Sequence, residues 1–253
     1  MGYLEANRFG FAMAGSHSSR TAEGDNAVLM NKVASELIQA EGKNAKSLIG
    51  KYFIGQQLMG VRMALFGLLS QASPDLKGLV DVMHKFYEFN MAKLMMEMQK
   101  NAKAHGRVSA WMEHSQNNVQ STARAYGEWT IARDALARIA EYSGDNETMK
   151  TVMDELLLLY IVDSIKKSAE GYVSYNCIGK FGLMKLNEKH IALCKSIGDN
   201  SVNLTDSFGL SDSMLATPCA LDWIDYNSYD NQGEVVSFLK KLRREKAAPA
   251  QGE

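Results

Sequence analysis

The sequence is poor in residues that interrupt helices and in those that cross-link a chain. It has 3 prolines and 3 cysteines among 253 residues. The cysteines form no Cys-x-x-Cys pair, so neither a disulfide scaffold nor a zinc ribbon is indicated. No apolar run approaches the ~20 residues that a membrane-spanning helix needs. These absences exclude membrane channels and disulfide-stabilised secreted domains, and we expect an intracellular protein of a reducing compartment.

Charge and histidine content limit the kinds of partner. Lysine and arginine together number 28 and aspartate and glutamate 29, which gives a formal net charge of −1. A basic surface for nucleic acid is therefore not expected. The five histidines form no His-x-His or His-x-x-x-His pair, and we predict no metal site.

Helical periodicity, in contrast, is abundant. Hydrophobic residues make up 46% of the chain, and they recur every three or four residues over long stretches. No stretch has the alternation that is typical of strands. We therefore predict an all-α protein, a helical bundle whose helices span about 26–39, 45–69, 74–104, 108–142, 147–175, 182–198 and 235–246.

Three stretches have more than one interpretation. The methionine-rich segment 94–98 indicates a gap-filling core position, with an adaptable binding surface as the alternative. The basic helix 235–246 indicates a solvated end of the chain, with anion binding as the alternative. The aromatic and polar run 222–233 either wraps the bundle, meets a partner subunit or closes over a ligand.

The residues around Glu23 form a helix-start signal. Gly24 permits a sharp turn, and Asp25 or Asn26 can cap the helix that follows. We therefore predict a polar, glycine-bearing loop that ends at a helix start, with Glu23 on the loop at the positive end of that helix. A glutamate in such a place is usually structural, so spacing alone does not make it catalytic.

The same residues resemble the motif of a known family. Glu23-Gly24-Asp25-Asn26, preceded by Gly2-Tyr3-Leu4 and Asn7-Arg8, resembles the start of the C-terminal part of the acyl-CoA oxidases, flavin-dependent relatives of the acyl-CoA dehydrogenases. The resemblance implies that Glu23 is the base that removes the α-proton of an acyl-CoA substrate, while the β-hydrogen leaves as hydride to FAD. It also implies a set of residues near the flavin: Gly2, Tyr3, Gly24, Asp25 and Asn26.

Two later segments resemble the same family. They are the apolar run 156–162 followed by Glu170-Gly171-Tyr172, and the segment 206–212. One position departs from the family pattern, because Ala22 stands where the family has an aromatic residue before the base. By resemblance we predict the following organisation: the end of an acyl-CoA dehydrogenase-like bundle with the base-bearing loop over 1–103, an acyl-CoA oxidase C-terminal helical domain over 104–246, and a disordered tail over 247–253.

The resemblance implies two alternative functions. In the first, the chain is the C-terminal portion of an acyl-CoA oxidase of fatty acid β-oxidation, incomplete without N-terminal domains that bind the flavin. In the second, it is a catalytically inactive helical structural subunit of a larger assembly. A homodimer, or association with a flavin-bearing chain, is also implied. The implied location is the peroxisome, although the chain does not end in a Ser-Lys-Leu-type signal, and the mitochondrion is the alternative.

Overall fold

The computed structural model describes residues 9–50, 53, 75–142, 144 and 146–211. These residues are helical apart from short turns, and no strand occurs among them. The prediction of an all-α fold is therefore confirmed. In chain order the elements are α1 (Phe9–Glu23), α2 (Asn26–Glu41), a 3₁₀ turn (Gly42–Asn44), α3 (45–50), α4 (Leu76–His105), α5 (Arg107–Ser109), a π-helix (Ala110–His114), α6 (Gln116–Ala140), α7 (Glu147–Lys167), α8 (Ala169–Ser174), α9 (Lys180–Asp199) and α10 (Ser201–Asp206).

Three of these helices begin at a side chain that satisfies a free backbone N–H. Asp25 before α2, Asp75 before α4 and Asn146 before α7 each accept a hydrogen bond from a backbone N–H two or three residues on, at 3.3, 2.8 and 3.1 Å. Such a bond replaces one that the first turn of a helix cannot make internally. Local capping chemistry therefore explains why the predicted starts of these helices lie close to the observed ones.

The larger of two compact units is Gly24–Ser201, and α4 is its central helix. α6 packs along α4, α2 packs on α6, and α7 packs against both α6 and α9. The methionine-rich segment belongs to this interior, since Leu94 and Met95 are 0% and 9% exposed. The core interpretation is thereby confirmed for Leu94 and Met95, whereas Met96 and Met98 are partly buried. The buried residues of α4 are Leu79, Val80, Met83, Phe86, Tyr87, Phe89, Asn90, Met91, Ala92, Leu94 and Met95.

Aromatic rings fill much of the space between α4, α6 and α8. Tyr87 stacks on Trp129 with ring centroids 5.6 Å apart and planes inclined by 4°, and Tyr126 lies 5.3 Å from Tyr87. Phe86 stacks on Tyr172 at a centroid distance of 3.8 Å. Such ring pairs add about 0.5–1.5 kcal/mol beyond the burial of their area. We call these five residues the aromatic interior.

Two helices that were predicted to be continuous are interrupted. The helix predicted over 108–142 divides into α5, the π-helix and α6, with Ser115 outside the helical region at φ −124° and ψ 5°. Ser115 is buried, and its Oγ accepts a hydrogen bond from Asn101 Nδ2 at 3.3 Å. The helix predicted over 147–175 breaks at Ser168, where φ is −114° and ψ is 23°. Periodicity does not reveal such breaks, because the apolar residues on both sides still recur at helical spacing.

The smaller unit comprises Met1–Glu23 and Val202–Glu253, and its described parts are α1 and residues 202–211. The loop predicted around Glu23 was wrong, since α1 is helical up to that residue. The polar side chains that suggested a loop are compatible with a helix. The hydroxyls of Ser16 and Ser18 each donate to the backbone carbonyl three residues earlier, at 2.8 and 2.7 Å, so they are bonded within α1 itself.

Several predictions fall on residues outside the described part of the chain. They concern the end of the second predicted helix over 54–69, the aromatic run 222–233, the basic helix 235–246 and the tail 247–253. The domain boundary predicted after residue 103 also stays a prediction. Among the helices that the structure describes, none is both long enough and apolar enough to cross a bilayer.

Candidate functional site

The predicted base lies where one helix ends and the next begins. Glu23 is the last residue of α1. Gly24 follows with φ of +94°, a conformation that glycine adopts without strain. Asp25 then caps α2, and Asn26 is the first residue of that helix. The predicted turn and cap are therefore confirmed, whereas Glu23 belongs to a helix end instead of a loop.

The predicted flavin neighbours fall into two groups. Gly24, Asp25 and Asn26 are consecutive and exposed. Among the described residues, a Cβ at Gly24 would meet the Leu29 side chain alone, at 3.9 Å, which leaves room for a group to approach the backbone. Gly2 and Tyr3 lie outside the described residues.

Amide side chains attach the start of α2 to α6. Asn31 Nδ2 donates to Gln116 Oε1 at 3.3 Å, and Gln116 Nε2 donates back to Asn31 Oδ1 at 2.9 Å. Gln120 Nε2 donates to the backbone carbonyl of Ala27 at 2.9 Å. Because these bonds act on the first two turns of α2, they position the helix start that Asp25 caps. We call Asn31, Gln116 and Gln120 the amide bridge.

Sequence reasoning did not find the amide bridge. A polar run at 116–121 is visible in the sequence, but such a run on a helix is most simply interpreted as a solvated face. The partner of Gln116 is 85 positions away along the chain. Only the packing of α2 on α6 brings the two amides together.

A buried carboxyl lies near the contact of α6 with α7. Glu128 Oε2 is buried and has no hydrogen-bond partner among the described residues. Burial raises the pKa of the Glu128 carboxyl, against the opposing effects of the nearby Arg124 and Lys167. Tyr160 Oη donates to the backbone carbonyl of Glu128 at 3.4 Å, and burial also raises the pKa of the Tyr160 hydroxyl.

A thiol, an imidazole and a carboxylate follow one another across α7 and α9. Cys194 Sγ lies 3.9 Å from His190 Nδ1 and 4.0 Å from His190 Nε2, and His190 Nε2 lies 4.0 Å from Asp163 Oδ1. Lys167 Nζ lies 2.7 Å from the other oxygen of Asp163. The four-residue spacing of His190 and Cys194 puts them on one helix face, and this signal was missed in the sequence. No group of three His, Cys, Asp or Glu side chains suited to a metal ion occurs in the described residues.

Comparison with known proteins gives one consistent result. Residues 79–220 match the family model described as acyl-CoA oxidase. The chain is 26% identical to acyl-coenzyme A oxidase 1 of Yarrowia lipolytica over 86% of its own length and 31% of that protein. It is 22% identical to the peroxisomal acyl-coenzyme A oxidase 2 of Arabidopsis thaliana over 94% of its own length and 34% of that protein.

The fold comparison agrees with the sequence comparison. The crystal structure of acyl-CoA oxidase-2 from Caenorhabditis elegans, bound with FAD, ascaroside-CoA and ATP, superposes with a TM-score of 0.68 at 18% identity. It covers 99% of this chain and 39% of the nematode protein. The chain spans about a third of the length of the curated relatives it matches. Since the matched family model covers more than half of the sequence, the chain belongs to the acyl-CoA oxidase family.

Proposed function

We propose that the chain is the C-terminal portion of an FAD-dependent acyl-CoA oxidase, which oxidises the α,β bond of an acyl-CoA thioester in fatty acid oxidation. Membership of the acyl-CoA oxidase family is the observation that carries this proposal. The curated relatives are about three times as long as the chain. In the proposal, the segments that bind most of the flavin and of the CoA lie on a longer polypeptide or on a partner chain, and the assembly is a dimer in the peroxisome.

Glu23 is the base in this proposal. Its carboxylate takes the α-proton of the thioester, a step that requires hydrogen-bond donors for the enolate oxygen and exclusion of water from the site. The exposed turn that follows Glu23 supports the proposal, because catalytic residues are often found at exposed turns and loops. Helix α2, held by the amide bridge, keeps that turn in place.

The described residues of the turn fit a flavin nearby. Gly24 has no side chain and a positive φ, so a large planar group can approach its backbone. Gly24, Asp25 and Asn26, together with Gly2 and Tyr3, would lie near FAD. When bound, FAD supplies the acceptor for the β-hydride. The nematode relative that was crystallised with FAD supports this choice of cofactor.

The test is Glu23→Gln in the complete native assembly, with acyl-CoA-dependent peroxide formation and flavin absorbance as the two measurements. A general base contributes about 10²–10⁴-fold to a rate, so we expect a loss of that size with the flavin still bound. Glu36→Gln, at an exposed position of α2, is the matched control and should leave turnover unchanged. Wild-type turnover in Glu23→Gln would rule out this residue as the base.

Ala22 supports a second candidate function. It removes the bulk that the family places beside the flavin, as a chain that has lost catalysis could tolerate. The chain is then a helical structural subunit of a larger assembly. The same assay separates the two candidates, because this one requires that the native assembly bind no flavin through this chain and form no peroxide from acyl-CoA.

A further inference from the structure

A cleft between α7 and α9 has the composition of a small reactive site. Its volume is about 380 Å³, and it is open to solvent. It lies entirely within the larger unit, away from the Glu23 turn in sequence. The residues that line it are Leu156, Leu159, Tyr160, Asp163, His190 and Cys194.

The polar residues of the cleft include a nucleophile, a base and a group that can orient the base. The Sγ of Cys194 lies 3.9 Å from His190 Nδ1 and 4.0 Å from His190 Nε2, and His190 Nε2 lies 4.0 Å from Asp163 Oδ1. A tautomer with its proton on Nε2, towards the carboxylate, leaves the Nδ1 lone pair free to take the thiol proton. These distances are longer than hydrogen bonds in a working site, as is common before a substrate binds.

Lys167 holds the carboxylate of this group in place. Its Nζ lies 2.7 Å from Asp163 Oδ2, which leaves Oδ1 directed at the imidazole. Ser196 of α9 donates to Glu155 Oε2 of α7 at 2.9 Å. The two helices that carry the thiol and the carboxylate are therefore tied to each other as well as packed.

The apolar side chains on the α7 side of the cleft, which we call its apolar wall, indicate the kind of electrophile that fits there. Leu156 is 40% exposed although it belongs to the most apolar run of the chain. Leu159 and Tyr160 extend the same wall along α7. An exposed apolar wall beside a thiol suits a reactive carbonyl with a hydrocarbon chain, which can cover the leucines while the carbonyl carbon reaches sulfur.

We propose that Cys194 is an acyl acceptor, which takes the acyl group of an acyl thioester by transthioesterification. His190 takes the thiol proton as Sγ bonds to the carbonyl carbon. The bond from that carbon to the CoA sulfur then breaks, and the proton passes from His190 to the leaving thiolate. The products are an S-acylated Cys194 and free CoA, so no oxidant or reductant is needed. The proposal depends neither on Glu23 nor on flavin.

A second cysteine of the same unit provides the internal comparison. Cys177 is only 7% exposed, and burial raises the pKa of its thiol to about 12. A thiol that is both buried and protonated is a poor nucleophile. Cys177 should therefore stay unmodified under conditions in which Cys194 is acylated.

The experiment is incubation of the full chain with decanoyl-CoA, followed by intact mass and peptide mapping. We expect one decanoyl group on Cys194, released by neutral hydroxylamine, with CoA set free in equal amount. Cys194→Ser should abolish this modification and Cys177→Ser should not change it. His190→Gln should slow it by about 10²-fold, at the low end of what a general base contributes, and Asp163→Asn should slow it less.

Two outcomes would overturn the proposal. The first is no acylation of the wild-type chain, including a result in which hydrogen peroxide modifies Cys194, trapped as the sulfenic acid with dimedone, while decanoyl-CoA does not react. The second is an equal rate in His190→Gln whose circular dichroism matches the wild type. Neither of these results bears on Glu23, because no flavin chemistry is measured.

Discussion

The contact between α4 and α6 is built differently at its two ends. At one end Tyr87 of α4 stacks on Trp129 of α6, and Tyr87 is 5% exposed. At the other end Asn101 of α4 donates to Ser115 Oγ, at the start of α6. The amide bridge to α2 belongs to this second end, since it begins at the residue after Ser115. One helix pair thus combines an aromatic contact with a polar one.

The two ends of this contact have different roles, since one contributes mainly to stability and the other fixes the position of the helices. The aromatic rings bury a large apolar area, and the stabilisation from that burial changes little when the rings shift slightly. A hydrogen bond contributes only about 0.5–1.5 kcal/mol net, but it forms only within a narrow range of distance and angle. The polar end therefore sets the register of α2 on α6, and with it the place of the turn that follows Glu23. The aromatic end buries more apolar area and therefore contributes more to the free energy of unfolding than the polar end does.

The largest loss of stability should come from Tyr87→Ala. Removing a buried ring leaves a cavity as well as lost apolar contacts, and comparable substitutions cost about 3–5 kcal/mol. The free energy of unfolding, measured by urea denaturation, should fall by this amount. Phe181→Ala is the control, since that ring is 79% exposed, and it should change stability by less than about 0.5 kcal/mol. Equal losses in the two variants would contradict the role assigned to the aromatic interior.

Gly171→Ala should destabilise the protein less than Tyr87→Ala does, because it overpacks the aromatic interior instead of leaving a cavity there. A Cβ at Gly171 would lie 2.9 Å from the Phe86 ring, and that ring is held by its stack on Tyr172. Overpacking of this kind costs about 1–3 kcal/mol. Gly127→Ala is the matched control in α6, where a Cβ would meet none of the described residues within 4 Å. Because alanine favours a helix over glycine, the control should gain about 0.5–1 kcal/mol, and a gain in both variants would refute the tight contact.

Much of the fold could be predicted because its signals are local. Apolar periodicity identified α2, α4, α6, α7 and α9, and capping residues such as Asp25 marked where helices begin. The breaks at Ser115 and Ser168 were not predictable, because a single serine does not disturb the apolar pattern. α1 was missed for the opposite reason. It has many small and polar residues and little periodicity, yet its serine hydroxyls bond within the helix.

The same distinction between local and non-local signals applies to the candidate sites. The turn of Gly24 and Asp25 is encoded by adjacent residues, and the assignment of Glu23 as the base came from resemblance and stays a prediction. The group formed by Asp163 and His190 depends on the packing of α7 against α9, which no local pattern specifies. The sequence alone can identify a site whose residues are neighbours in the chain. A site whose residues lie on different helices can be identified only once the fold is known.

The smallest loss of stability, and the most localised one, should come from the double variant Gln116→Ala, Gln120→Ala. It removes the side-chain bonds to Asn31 and to the carbonyls of Ala27 and Trp111. We expect a loss of about 1 kcal/mol because these groups are only partly buried. Hydrogen exchange should become faster in the first two turns of α2 but not around Tyr87 in α4. Gln39→Ala, at an exposed position of α2, should leave exchange unchanged. The double variant could instead lose as much stability as Tyr87→Ala and exchange faster throughout the unit. That result would mean that the polar end contributes to stability in the same way as the aromatic end. The division between the two ends of the α4–α6 contact would then be wrong, and with it the reason for expecting the amide bridge to position the Glu23 turn.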